Sequence, residues 1–276
     1  MQLTLGFSTC PNDTFIFDAM IHQKVDTEGL QFDVILADVE ELNKNAFEGT
    51  IDITKLSYHA FAHVSNNYKL LTSGSALGYK NGPLLISKHK IYPDEVAGIK
   101  VAIPGKFTTA NLLFSIVYPQ IKEKKDYLFS DIEDAILGGE VDAGLIIHEN
   151  RFTYEKKGLK KIIDLGEEWE EKTNNPIPLG GIVIHRKFDT ETQQKVNRVL
   201  RRSVEFAFKN PDASYAYVKK YAQELNDEVI KKHINLYVNN FTANLGTEGK
   251  NAVETLFEMA KKEDLISSIP HDIFVI

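Results

Sequence analysis

Cysteine occurs once in the 276 residues, and so does tryptophan. A single thiol excludes an internal disulfide and any metal site built on several cysteines. No N-terminal stretch combines a basic start, an apolar core and a small-residue cleavage site, the pattern of an export signal. No apolar run reaches the ~18 residues that span a bilayer. Positive charge is in deficit: 32 Lys and Arg stand against 39 Asp and Glu, a net charge of −7. A nucleic-acid partner would favour the opposite balance. The glycines never form GxGxxG, which disfavours a dinucleotide cofactor. Gly105-Lys106-Phe107 lacks the glycine spacing and the following Ser or Thr of a phosphate loop. Short repeats and low-complexity tracts are absent as well. The expectation is a soluble cytoplasmic protein with no membrane insertion and no nucleic-acid partner, its oligomeric state left open.

What is present is a chain with 43% apolar residues, long enough for one large or two smaller lobes. Its organising stretch is STCPNDTFIF (8–17). An apolar run at 2–7 reads as a first strand and 15–21 as a helix. Pro11 suits the first turn of that helix, and Asn12, Asp13 and Thr14 are good starting residues. A helix terminus of this kind presents free N–H groups to an anion. Strands are predicted at 29–36 and 51–54, with a helix at 38–47 between them. Ser57 is placed to start a helix at 58–64, and 68–73 is strand-like. Residues 74–82 read as a glycine-punctuated loop, and 83–87 as a short apolar run. The pattern then restarts with a strand at 99–103, a turn at Pro104-Gly105 and a helix at 110–117 begun by Thr108 or Thr109. A strand at 127–129, a short helix at 131–137 and a strand at 142–147 follow. Residues 154–175 look charged and loose, and 176–184 is the last strand. From Thr190 the pattern is helical to the end.

Strands alternating with helices imply an α/β fold with largely parallel sheets. Residues 1–87 and 183–276 form one discontinuous lobe in this reading, carrying the C-terminal helices, and 88–182 form an inserted second lobe. That is the plan of a two-lobed, type-2 periplasmic-binding-protein-like domain with a central cleft. Ligands of such sheets sit off the carboxyl ends of the strands. Four polar loops leave those ends: 8–14, 54–57, 105–111 and 148–150. Together they suit a small carboxylated and hydroxylated molecule. His148 is the sharpest candidate, a half-buried imidazole able to take a proton near neutral pH. On the residues alone a plain surface histidine at a strand end is the more economical reading. Glu149 would point away from it. Lys55 is placed to pair with a substrate carboxylate, or is simply solvated. Cys10, near a helix start, has no partner histidine placed by spacing, so a small loop residue is favoured over a reactive thiol. His59 and His63 lie four apart on a helix, but no HExxH pattern or third ligand joins them. The other histidines, His233 among them, show no metal-ligand spacing.

Six separated segments carry a resemblance: CPNDTF (10–15), DVEELN (38–43), DITKLS (52–57), SGSALGYKNGPLL (73–85), PGKFTTAN (104–111) and LIIHENRFTY (145–154). In this order they resemble the 1,4-dihydroxy-6-naphthoate synthase family of the futalosine route to menaquinone, over nearly the whole chain. Thr9 stands where a proline is often seen. The resemblance implies the two-lobed fold and a carbon–carbon lyase. Its reaction would be cleavage of cyclic dehypoxanthinyl futalosinate to 1,4-dihydroxy-6-naphthoate, with release of a sugar-derived fragment. It implies His148 as proton acceptor, and Lys55, Leu56, Ser57, Thr109 and Ala110 as substrate contacts. Asn12, Asp13 and Thr14 would line the cleft, and no metal or organic cofactor is implied. Chorismate dehydratases of the same pathway share the fold but not the CPNDTF signature. A non-catalytic small-acid binding protein is the competing class.

Overall fold

The opening hexapeptide QLTLGF buries Leu3, Leu5 and Phe7, and the period-two pattern makes it a strand. It begins a computed structural model that describes residues 1–222 and 226–276. The first unit runs β1 (Gln2–Phe7), α1 (Pro11–Ile21), β2 (Gln31–Leu36), α2 (Val39–Glu48), β3 (Ile53–Ser57), α3 (Tyr58–Val64), β4 (Tyr68–Leu70) and β5 (Ala76–Gly78). The second runs β6 (Leu84–Ser87), β7 (Val101–Ile103), α4 (Thr109–Val117), β8 (Lys124–Asp126), α5 (Ile132–Leu137), β9 (Ala143–Ile146), β10 (Lys160–Asp164) and α6 (Leu165–Thr173). β11 (Ile177–His185) brings the chain back to the first sheet. The helices α7 (Thr190–Lys209), α8 (Tyr215–Tyr221), α9 (Asp227–Tyr237), α10 (Asn240–Ala243) and α11 (Gly246–Lys262) follow.

The strands form two sheets, ordered β2-β1-β3-β11-β4 with β5 also on β11, and β10-β6-β9-β7-β8. Both are mixed rather than largely parallel. β1 pairs in parallel with β2 and β3, and β7 with β8 and β9. The antiparallel strands are β11 in the first sheet and β6 and β10 in the second. Sheet membership changes at 79–83 and again at 174–176, because 84–87 already pairs in the second sheet and Ile177 in the first. The expected divisions, 87 and 183, lie beyond both changes.

Several expected elements move. The strand expected at 127–129 is β8, three residues earlier, and Phe129 starts a 3₁₀ turn. The loose region 154–175 holds β10 and α6, and 74–82 holds β5. β8 and β10 are edge strands that each open on a pair of lysines, and such edges carry little apolar signal. The tract from Thr190 is not helical to the end. After α11 the chain turns back and Phe274 bridges Leu70 beside β4. Residues 223–225, inside that tract, lie outside the described residues.

α1 is buried from Pro11 to Met20 because α7, α8 and α9 all pack on it. Ser203 of α7 reaches its backbone, donating to Ile16 O and accepting from Met20 N. A second cluster joins the two units: Tyr58 and Phe61 of α3, Leu112 and Phe114 of α4, and Leu256 and Phe257 of α11 share one core. Among the described residues no helix is long and apolar enough to cross a membrane.

Candidate active site in the cleft between the sheets

The first strand ends at Phe7, and Pro11 enters α1 at once. Cys10 stands at the helix cap without a side-chain capping bond. Asp13 instead folds back. Its Oδ2 accepts from Ser8 Oγ at 2.7 Å and from Ser8 N at 3.3 Å. Its Oδ1 accepts from Asn12 Nδ2 at 2.8 Å and from Lys55 Nζ at 2.7 Å. The Lys55–Asp13 ion pair is buried, with side chains 8% and 2% exposed. One of three ammonium hydrogens is used there. Asp13 is thus an anchor for Lys55, with every lone-pair direction occupied.

A cavity open to solvent lies beside this cluster. Ser8, Asn12, Asp13 and Lys55–Ser57 line it from the first unit, and Thr108–Ala110, Ile147 and His148 from the second. Asn81, Leu179 and Tyr237 complete much of the wall. Asn12 and Asp13 are therefore cavity residues, as are Lys55, Leu56, Ser57, Thr109, Ala110 and His148. Thr14 is not: it is fully buried and its hydroxyl donates back to Cys10 O and Pro11 O one turn earlier.

The hydroxyls of the two loops are already engaged. Ser57 does not cap α3 with its side chain; Ser57 Oγ accepts from Asn43 Nδ2 at 3.2 Å, and Ser57 N donates to Asn43 Oδ1. Thr109 Oγ1 donates to Leu179 O and accepts from His59 N at 3.4 Å. Thr108 caps α4, accepting from Asn111 N.

His148 is not the last residue of a strand. β9 stops at Ile146, and His148 begins a 3₁₀ segment with φ of +58°. That left-handed backbone is uncommon for a non-glycine residue and costs roughly 1–2 kcal/mol. It presents the ring to the cavity, edge-on to Phe129 and parallel to His233 at 6.1 Å. Burial pulls the imidazole down to about 4, below the neutral value expected for it; the Asp13 carboxylate opposes and the Lys55 ammonium assists that fall. Cys10 Sγ lies 3.5 Å from His148 Nδ1, so the partner histidine missing from the local spacing is present in space. Burial holds the thiol well above its usual range.

His233, set aside on spacing, is completely buried behind this pair. Its Nε2 lies 2.9 Å from Asn12 Oδ1, whose amide hydrogens already serve Asp13, so the imidazole donates. Glu149 is buried and does not line the cavity; its Oε2 lies 3.5 Å from His233 Nδ1. His233 shows only as one polar position on the apolar face of α9, a signal of burial rather than of role. His59 and His63 lie with ring centres 5.3 Å apart, and His59 Nδ1 donates to Thr108 O. Among the described residues no three His, Cys, Asp or Glu side chains are arranged to hold a metal ion.

Two mixed α/β units around a cleft, with helices wrapped on the first, define a domain of the periplasmic-binding-protein class. A Candida albicans protein described as having that generic fold superposes with a TM-score of 0.71 at 11% identity, over 99% of this chain and 93% of that one. A much nearer structure, of a protein from Archaeoglobus fulgidus, has a TM-score of 0.91 at 37% identity, covering 96% of this chain and 98% of its own. Residues 3–262 match the family model described as menaquinone biosynthesis, and the chain belongs to that family. A relative from Thermus thermophilus named 1,4-dihydroxy-6-naphthoate synthase is 43% identical over 99% of both chains. One of the same name from Streptomyces coelicolor is 39% identical, covering 98% of this chain and 96% of its own. Membership of this family makes the chain an enzyme of menaquinone biosynthesis.

Proposed function

We propose that this enzyme is a carbon–carbon lyase converting cyclic dehypoxanthinyl futalosinate to 1,4-dihydroxy-6-naphthoate, with release of a sugar-derived fragment. The observation that carries the reading is a neutral imidazole on a strained residue in the wall of a cavity that also holds a buried ammonium. In the tautomer this mechanism uses, His148 Nδ1 carries the hydrogen towards Cys10 Sγ and Nε2 accepts the substrate proton. Loss of that proton lets the ring become aromatic as the bond to the sugar-derived fragment breaks. General-base action of this kind typically contributes about 10²–10⁴-fold. The remaining hydrogens of Lys55 Nζ face the substrate carboxylate. With Thr108 capping Asn111, the N–H groups of Thr109 and Ala110 at the start of α4 join it. Leu56 and Ser57 contribute surface and backbone, their positions held by Asn43. Water exclusion between the joined units strengthens each of these interactions. The reaction runs in the cytoplasm without a metal or organic cofactor in this reading.

The test is incubation of the purified protein with the cyclic futalosine substrate and chromatography of the products. His148→Asn is expected to abolish turnover while substrate binding stays within a few-fold. Full activity in that variant removes His148 from the mechanism. Binding without turnover by the wild type points to a carrier or sensor, and conversion of chorismate instead points to the dehydratase.

A further inference from the structure

Asn81 sits where the chain crosses from the first sheet to the second, and it lines the cavity. It is 0% exposed, and among the described residues neither Nδ2 nor Oδ1 has a hydrogen-bond partner. Leaving a buried polar group unpaired typically costs ~1–3 kcal/mol, so two such atoms on one side chain mark a site built for a ligand. The backbone around it is held firmly. Lys80 N donates to Glu170 Oε1, Arg151 Nη1 donates to Gly82 O, and Leu165 N donates to Pro83 O. Arg151 is itself paired with Asp164 at 2.7 Å. The amide is also packed over Gly78, where an added Cβ would meet Asn81 Nδ2 at 3.0 Å. A clamped backbone under an unsatisfied side chain is how a binding group is pre-organised.

The amide offers one acceptor and two donor hydrogens. A carboxylate only accepts, and would leave Oδ1 unpaired. Hydroxyl groups donate and accept, and a neighbouring pair satisfies both ends of the amide. We infer that Asn81 is the residue that reads the hydroxyls of the sugar-derived part of the substrate, while Lys55 and the start of α4 hold its acid. This assignment rests on the functional reading above and makes Asn81 a specificity-determining residue of the same cavity.

The experiment compares wild type, Asn81→Leu and Asn81→Asp by calorimetry with two probes, the cyclic futalosine substrate and 1,4-dihydroxy-6-naphthoate. The naphthoate keeps the acid but lacks the sugar-derived hydroxyls. Asn81→Leu is expected to weaken substrate binding by about 10- to 100-fold, the loss of one or two hydrogen bonds to a buried amide. Its affinity for the naphthoate stays within about threefold, and its melting temperature without ligand equals or exceeds that of the wild type. Asn81→Asp, near in shape but without the donor, weakens the substrate selectively as well. Equal loss for both probes, unchanged substrate affinity, or a melting temperature that collapses in both variants overturns the assignment. If the wild type converts the substrate and Asn81→Leu matches it, only the role of Asn81 falls. If the wild type neither binds nor converts the substrate, the functional reading falls and takes this assignment with it.

Discussion

Cys10 and His148 meet as two neutral groups. Burial, followed by the Glu149 and Asp13 charges, raises the thiol, and burial lowers the imidazole to about 4. Neither ionises at neutral pH, so the thiolate–imidazolium pair of a cysteine nucleophile does not form. Native Cys10 is expected to resist iodoacetamide at about pH 7.5 and to react once the chain is denatured. Mass spectrometry checks this, and rapid alkylation of the folded protein contradicts it. The imidazole also sets the pH profile. As a base it works only when unprotonated, so the acid limb of kcat/KM follows its free-enzyme value. A limb near pH 4 rather than the ~6.5 of an unperturbed histidine is expected. A midpoint near 6.5 would show a solvated ring. Asp13 carries a stability prediction. Asp13→Asn leaves the Lys55 ammonium buried without its counter-charge, at a cost of about 3–5 kcal/mol. Urea titration reads that loss; a shift under about 1 kcal/mol would place the ammonium in solvent.

At the scale of elements, the tightest contact is backbone against backbone. A methyl group on Gly82 would stand 2.3 Å from Gly166 N and 2.4 Å from Gly166 Cα. The segment leaving β5 therefore passes over the first turn of α6 with no room for a side chain. Backbone cannot give way as a flexible side chain does, so Gly82→Ala is expected to lose about 3 kcal/mol, the upper range of overpacking. Chemical denaturation checks it, and an unchanged midpoint would mean the crossing opens freely. Elements with strong local signals were legible. Asp38 caps α2 through Glu40 N and Glu41 N, and Thr108 caps α4. β8 and β10 were not: β8 is Lys-Lys-Asp with no buried residue, and β10 opens on two exposed lysines, so neither matches an apolar pattern.

In the molecule as a whole, two buried histidines, His59 and His233, and the half-buried His148 make the fold acid-sensitive. Burial lowers His59 and His148 to about 4 and His233 well below its ordinary value. Each binds a proton less readily folded than unfolded. The stability from keeping them neutral is complete above about pH 6.5 and is lost as pH falls from there towards 4. For His59 alone the loss by about pH 4.5 is on the order of 2–3 kcal/mol. Urea unfolding at neutral and acid pH should show the drop, and His59→Asn should reduce it; equal stability at both would mean these rings are solvated. The residues by themselves determined the alternating elements, most of the caps, the order of the family segments and the loops that carry the cleft. Those are local properties, written within a few positions of one another. Tertiary structure alone decided the pairings and protonation states. Cys10 meets His148 across 138 positions, Lys55 meets Asp13 across 42, and Asn12 meets His233 across 221. It also decided that Asn81 is left without a hydrogen-bond partner among the described residues. Burial shifts an ionisable group through everything packed around it, and no stretch of chain contains its own surroundings.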